Sequence, residues 1–198
     1  EHAGKMTEDY AYMGLDTCAG CGLCSTACPV GIDTGDLTRR LRGRQISDTS
    51  RAVNAWTGEH FGTLANASRL GLKVGHAVSG VLGDNFLSRI SGGAWKKNMP
   101  YAGKAPVART TQGDPVVYFP TCGGRIFGPS TTGEKQLGDV ILELLTRAGY
   151  APILPDDVDS LCCGQMLSSK GMADEADAMS NTLEAALMKA SQNGKYPV

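Results

Sequence analysis

The sequence predicts an α+β chain, a mainly helical N-terminal part followed by a small parallel α/β part. Three observations carry that expectation. Apolar residues between Ser50 and Leu82 recur at helical spacing. Two short β-rich runs, Val116–Phe119 and Ala151–Leu154, are each closed by a proline and separated by an amphipathic helical pattern, which gives strand, helix, strand. Between the two parts, residues 96–114 mix Pro, Gly and Lys without period. The resulting division is a helical domain over 1–98, a linker over 99–114 and an α/β domain over 115–198.

The elements follow in chain order. Residues 1–16 are polar and short of pattern, so they read as a tail or the end of a linker from an upstream domain. Residues 17–32 form a Gly-rich, Cys-rich loop. Asp33 or Thr34 can cap a short helix to about Arg42, because either side chain accepts from a free N–H of the first turn. In the next stretch Val53, Trp56, Phe61 and Leu64 form one stripe, continued by Ala67, Leu70, Val74, Val78 and Val81. Gly71, Gly75 and Gly80 weaken it, each by about 1 kcal/mol against Ala, so two helices or one bent helix are expected. A short helix covers Asn85–Ile90.

In the second part, Thr131 and Glu134 match a capping box ahead of an amphipathic helix marked by Leu137, Val140, Ile141, Leu144, Leu145 and Ala148, which Gly149 ends. A last helix is marked by Met172, Ala176, Met179, Leu183, Leu187 and Ala190. Strand, helix, strand and helix in this order predict a parallel βαβ unit.

Composition narrows the class. The chain has 198 residues with 41% hydrophobic and 20% charged, as in an ordinary globular protein. The net charge of −1 gives no reason to expect nucleic acid or an anionic membrane surface as a partner. No run approaches the roughly 18 consecutive apolar residues of a membrane span, and no signal peptide is visible. Seven cysteines are present, and four of them crowd into residues 18–28. Crowding of this kind suits a reduced, metal-binding, cytoplasmic protein better than a disulfide scaffold.

The crowded cysteines are Cys18, Cys21, Cys24 and Cys28, followed by Pro29, in the spacing C-x2-C-x2-C-x3-C-P. This is the bacterial ferredoxin run. Two-residue gaps let one loop wrap three thiolates around one cubane. Gly20 and Gly22 free the backbone to turn N–H groups toward the sulfurs, which with burial sets the potential. Structural zinc competes as a reading, but it usually takes cysteine pairs separated by a longer gap. The fourth ligand has two solutions. Either Cys28 closes the same cluster, or a remote cysteine does and Cys28 is free. Cys28 is preferred because the remaining cysteines fall in a pattern of their own.

That pattern is Cys122, after the first predicted strand, and Cys162 with Cys163, after the second. In a parallel βαβ unit both loops lie at the carboxyl edge of the sheet, where such folds build their sites. Three thiols some 40 residues apart in sequence can thus converge. Gly123, Gly124 and Gly164 permit a close backbone approach. Packing of these cysteines as small hydrophobes is the bland alternative; adjacency and flanking glycines favour a redox or metal role.

Cys122, then 39 residues, then Cys162-Cys163-Gly164 resembles the first part of the cysteine-rich CCG module. That module occurs in heterodisulfide reductase subunits and in the iron–sulfur parts of glycolate oxidase and anaerobic glycerol-3-phosphate dehydrogenase. A ferredoxin run, helices and this module together are similar to the C-terminal half of bacterial FAD-linked D-lactate (D-2-hydroxy acid) dehydrogenases. The stretches 27–36, 119–125 and 162–171 look most like that group. The resemblance spans about residues 15–198 and implies a ferredoxin-like helical domain ahead of a CCG-type α/β domain.

It further implies one 4Fe–4S cluster on Cys18, Cys21, Cys24 and Cys28. A second redox or cluster site would lie at Cys122, Cys162 and Cys163, and FAD on an upstream domain. Two departures matter. Only one ferredoxin run is present, and the C-x-x-C that should finish the module is missing before Val198, so the second site is expected to be incomplete and the α/β domain truncated. The implied function is electron transfer from flavin to a quinone or cytochrome, by a fragment not catalytic alone. The expected place is the cytoplasm, with peripheral association at the inner face of the cytoplasmic membrane left open. Two alternatives stand beside it. One is a stand-alone iron–sulfur subunit of a glycolate oxidase, lactate-utilisation or glycerol-3-phosphate dehydrogenase complex. The other is a non-enzymatic iron–sulfur sensor or zinc-stabilised interaction module.

Some residues have plainer readings. Arg39, Arg40, Arg42 and Arg44 read as a solvated helix end, with offset of cluster charge or docking of an acidic electron partner as the alternatives. His60 and His76 read as packed or surface histidines, and Trp56 and Trp95 as packing residues.

Overall fold

The structure, a computed structural model, describes residues 2–108 and 112–198. Residues 109–111 of the expected linker lie outside the described residues. Contacts divide the chain into two compact units. One holds residues 1–59 and 163–181, the other residues 60–162 and 182–198. This division differs from the expected one at 99–114.

The first unit begins with helix α1 (His2–Tyr10), which runs into a π-helical turn over Ala11–Asp16. The expected tail is therefore ordered: the Tyr10 hydroxyl lies 2.9 Å from Thr38 Oγ1, and Thr38 is buried. After the cysteine loop and short α2 (Leu23–Ala27) comes α3 (Thr34–Gln45), capped as expected by Asp33, whose Oδ1 accepts from Asp36 N at 3.1 Å. Helix α4 (Asp48–Glu59), α9 (Gln165–Ser169) and the start of α10 (Ala173–Ala190) complete the unit. Met172, Ala176 and Met179 are buried as the period predicts, joined by Leu167. Trp56 is 54% exposed, against its expected packing role.

The second unit is built on α5 (Phe61–Leu82), one uninterrupted helix separated from α4 at His60. Its buried residues are Phe61, Ala65, Arg69, Leu72 and Gly75. The expected stripe beyond Phe61 is therefore the wrong face: Leu70, Val74 and Val81 are exposed. Ala65, Gly75 and the paired Arg69 share the buried face with Phe61 and Leu72, and a count of large apolar side chains overlooks those three. Gly75 shows why smallness is needed. A Cβ there would fall 2.2 Å from Trp95 Cζ3. Trp95 itself is buried, with Nε1 donating to Asp84 Oδ1 at 3.0 Å. His76 packs as expected, stacked on Tyr101 with ring centroids 4.2 Å apart.

Helix α6 (Asp84–Ile90) precedes the expected linker, whose residues 99–104 carry a series of hydrogen bonds. Tyr101 N donates to Pro129 O, Gly103 N to Ile126 O, and the Gln136 side chain clamps Lys104 through both its N and O. Strand β1 (Asp114–Val117) pairs in parallel with β2 (Tyr150–Ile153), Asp114 opposite Tyr150 and Val117 opposite Ile153. Strand β1 thus starts two residues before the expected run at 116–119. Pro115 and Pro152 fit because each strand of a two-stranded sheet has a free edge. Between the strands lie α7 (Cys122–Ile126) and α8 (Leu137–Arg147). Gln136 is the N-cap residue of α8, so Thr131 and Glu134 make no capping box. Burial on α8 centres on Gly138 and Leu142, and the expected positions Leu137, Val140 and Leu144 are exposed. The βαβ order is as expected, and the chain is α+β and mostly helical. Among the described residues no helix is long and apolar enough to cross a membrane.

Gly75→Ala should lower stability by about 2 kcal/mol, since overpacking against Trp95 outweighs the helix propensity gained. Gly80→Ala, with nothing within 4 Å of its Cβ, should raise stability by roughly 0.5–1 kcal/mol. Urea unfolding midpoints of the two variants against wild type check both signs.

Candidate redox sites at two separate cysteine sets

The first set lies in the loop between the π-helical turn and α3. Gly20 and Gly22 take left-handed φ of 64° and 74°, which lets the chain double back between Cys18 and Cys24. Gly20 N donates to Cys18 Sγ at 3.3 Å. Around Cys28, the N–H groups of Ile32, Val30 and Gly31 act on one sulfur and hold its thiol below the ordinary range. Cys24 Sγ donates to Asp33 Oδ1 at 3.3 Å. The Cys24 thiol, followed by Asp36 N, lowers the Asp33 carboxyl.

Two arginines fasten this loop from α3. Arg39 Nη1 donates to Gly20 O at 2.6 Å. Arg42 donates to three carbonyls, Leu15 O at 2.8 Å, Cys18 O at 2.7 Å and Ser169 O at 2.5 Å. These two are backbone clamps rather than a solvated helix end. Arg40, paired at the surface with Asp36, does fit that reading. A charged guanidinium spreading its donors over several carbonyls gives geometric control that a point charge lacks.

The donor set fits a thiolate-ligated cluster in kind. It offers four thiols in one short loop, N–H groups directed at the Cys18 and Cys28 sulfurs, and cationic guanidiniums against the loop backbone. In the positions described, no three His, Cys, Asp or Glu side chains meet as a ready metal cage.

In the second set, Thr121 caps α7, its Oγ1 accepting from Gly124 N at 3.1 Å, and Cys122 is the first helical residue. Cys162 follows the short 3-10 turn Val158–Ser160 and is buried. The two thiols are brought together as the sheet topology predicts. The Cys162 thiol hydrogen-bonds the Cys122 sulfur and, with Gly123 N and the charge on Arg125, pulls the Cys122 thiol down to about 6 against the effect of burial. Cys163 is exposed and belongs to the other compact unit.

Arg125 had no signal in the sequence beyond its place three residues after Cys122. It is 1% exposed, and its Nη2 donates to Leu161 O, the carbonyl before Cys162. Its guanidinium lies 5.4 Å over the Phe119 ring. Nearby, Arg69 pairs with Asp159 through Nη2 to Oδ1 at 2.5 Å and donates from Nε to Arg125 O at 3.2 Å.

Arg42→Ala should cost about 2 kcal/mol, as three carbonyls lose a charged donor, and should speed amide exchange over residues 15–21. Arg40→Ala should stay within about 0.5 kcal/mol. In the reduced, metal-free chain, Cys122 alkylation should be half-maximal near pH 6. Cys162→Ala should move that midpoint upward, because the leading hydrogen bond is gone. Peptide mass mapping across pH reads both.

No protein-family model, no curated protein and no solved structure matches this chain. The chemistry of the site accordingly rests on the residues and their geometry.

Proposed function

We propose that this chain is the iron–sulfur electron-transfer region of a flavin-dependent D-lactate or D-2-hydroxy acid dehydrogenase. In this reading Cys18, Cys21, Cys24 and Cys28 hold a 4Fe–4S cluster, while Cys122 and Cys162 form a second redox site. The observation that carries it is the run C-x2-C-x2-C-x3-C-P with backbone N–H groups directed at Cys18 and Cys28. The resemblance of residues 27–36, 119–125 and 162–171 to FAD-linked D-2-hydroxy acid dehydrogenases supports the flavin partner and the substrate class.

Bound in this loop, the cubane supplies one-electron transfer between a flavin and a quinone or cytochrome. The chain's residues do the rest. Gly20 N–H and the N–H groups at 30–32 stabilise negative sulfur and favour the reduced state. Arg39 and Arg42 hold the loop carbonyls and place positive charge beside it. Hydride removal from a hydroxy acid needs the flavin, so the chain alone passes electrons and does not oxidise substrate.

Anaerobic reconstitution followed by iron and sulfide counts tests the ligand set. Cys21→Ala and Cys28→Ala should each lose the cluster of the first run, and Cys122→Ala should keep it. Loss in Cys122→Ala with retention in Cys28→Ala would make Cys122 the fourth ligand, and zinc without sulfide would remove the redox reading. Purified chain should show no lactate-dependent dye reduction until a flavoprotein is added; reduction by the chain alone contradicts the division of labour.

A further inference from the structure

Helix α5 carries apolar residues on two faces. Phe61, Ala65 and Leu72 are buried in its unit, while Leu70, Val74 and Val81 share the other side at helical spacing. Leu82 and, after the Gly83 turn, Phe86 and Ile90 of α6 are exposed as well. These six side chains are 46–83% exposed. A monomer seldom leaves so many large apolar side chains in water along one helical corner, and such a patch marks a surface that a partner or a lipid phase covers.

Charge says which. Between residues 60 and 101 five basic residues stand against one acid, a segregation hidden by the net charge of −1. Arg69 is buried and paired with Asp159. Asp84 accepts from the Ser79 hydroxyl and from Trp95 Nε1. That leaves Lys73, Arg89, Lys96 and Lys97, all exposed, and none of them is ion-paired among the described residues. Two of them border apolar pairs in the same way. Lys73 follows Leu70 by three residues and precedes Val74, and Arg89 follows Phe86 by three residues and precedes Ile90. Each cation therefore edges an exposed apolar pair one helical turn long. Lys96 and Lys97 come directly after Trp95, which is hydrogen-bonded to the first residue of α6. Apolar side chains edged by cations on long aliphatic stems make up an element that lies in a lipid interface. A second copy on the same face would set cation against cation.

We propose that the exposed face of α5 and α6 is a docking surface for an anionic lipid bilayer. Its apolar residues enter the headgroup boundary, and Lys73, Arg89, Lys96 and Lys97 meet lipid phosphate. The helices lie on the bilayer and do not cross it, since among the described residues none is long and apolar enough to span. The inference goes beyond the electron-transfer reading and does not rest on it.

The test uses the full chain, purified anaerobically and sedimented with vesicles of phosphatidylglycerol and phosphatidylcholine in equal parts, or of phosphatidylcholine alone. Binding should need the anionic lipid and fall steeply towards about 1 M salt, where exposed charge is screened. Lys96→Gln with Lys97→Gln should weaken it about 30-fold. Val81→Ser with Phe86→Ser should weaken it about tenfold or more. Leu137→Ser, at an exposed apolar position on α8, should bind as wild type. No binding to the anionic vesicles, equal binding to the neutral ones, or wild-type binding by a folded Val81→Ser, Phe86→Ser variant overturns the proposal. If that variant does not fold, the exposed lysine pair decides, and wild-type binding after its replacement overturns the proposal. A wild-type dimer that Val81→Ser dissolves assigns the face to a second copy and overturns it too. Iron and sulfide counts on the same sample read the cluster separately, so the failure of either reading leaves the other standing.

Discussion

A guanidinium donating to the backbone carbonyl of a cysteine-bearing loop is the interaction on which both units depend. Arg39 and Arg42 reach Gly20 O and Cys18 O, and Arg125 reaches Leu161 O. Loops that must present sulfur cannot bury many apolar side chains of their own. Their backbone polar groups still need partners, and their shape needs an anchor. An arginine on an adjoining helix supplies both at once. Its charge also lowers the electrostatic cost of negative sulfur nearby, so one side chain serves structure and chemistry.

The second set shows what the sheet contributes. Two four-residue parallel strands are a small scaffold. Their parallel pairing nonetheless sends the chain out at the same edge twice, and Cys122 and Cys162 meet there. Gly103 and Gln136 brace α7 by donating to Ile126 O and Gly124 O, which fixes the helix that starts with Cys122. Gln136 makes three bonds with one side chain, to Lys104 N, Lys104 O and Gly124 O. The result is a thiol pair whose acidity is governed by neighbours a few residues away in sequence or one loop away in the fold.

Much of this was legible in the sequence. The α+β class, the parallel order, the Asp33 cap and the buried positions of α10 follow from period and turn chemistry. The proposed iron–sulfur chemistry comes from the spacing of Cys18, Cys21, Cys24 and Cys28 and not from the fold. What was not legible has physical causes. The inner face of α5 carries only Phe61 and Leu72 as large apolar residues beside Ala65, Gly75 and an ion-paired Arg69, so a count of large apolar residues misses its period. Residues 2–16 and 99–104 are held by backbone hydrogen bonds and by single contacts such as Tyr10 with Thr38, which leave no trace of apolar periodicity. Arg42 and Arg125 act through backbone carbonyls far away in sequence, and no local pattern announces such a bond.

The central claim is that the first cysteine run holds an iron–sulfur cubane. X-ray absorption at the metal edge of the anaerobically purified full chain tests it most directly. The account predicts iron surrounded by sulfur with iron–iron scattering beyond it, lost when Cys21 is replaced by alanine. Zinc with sulfur neighbours and no metal–metal scattering would contradict it.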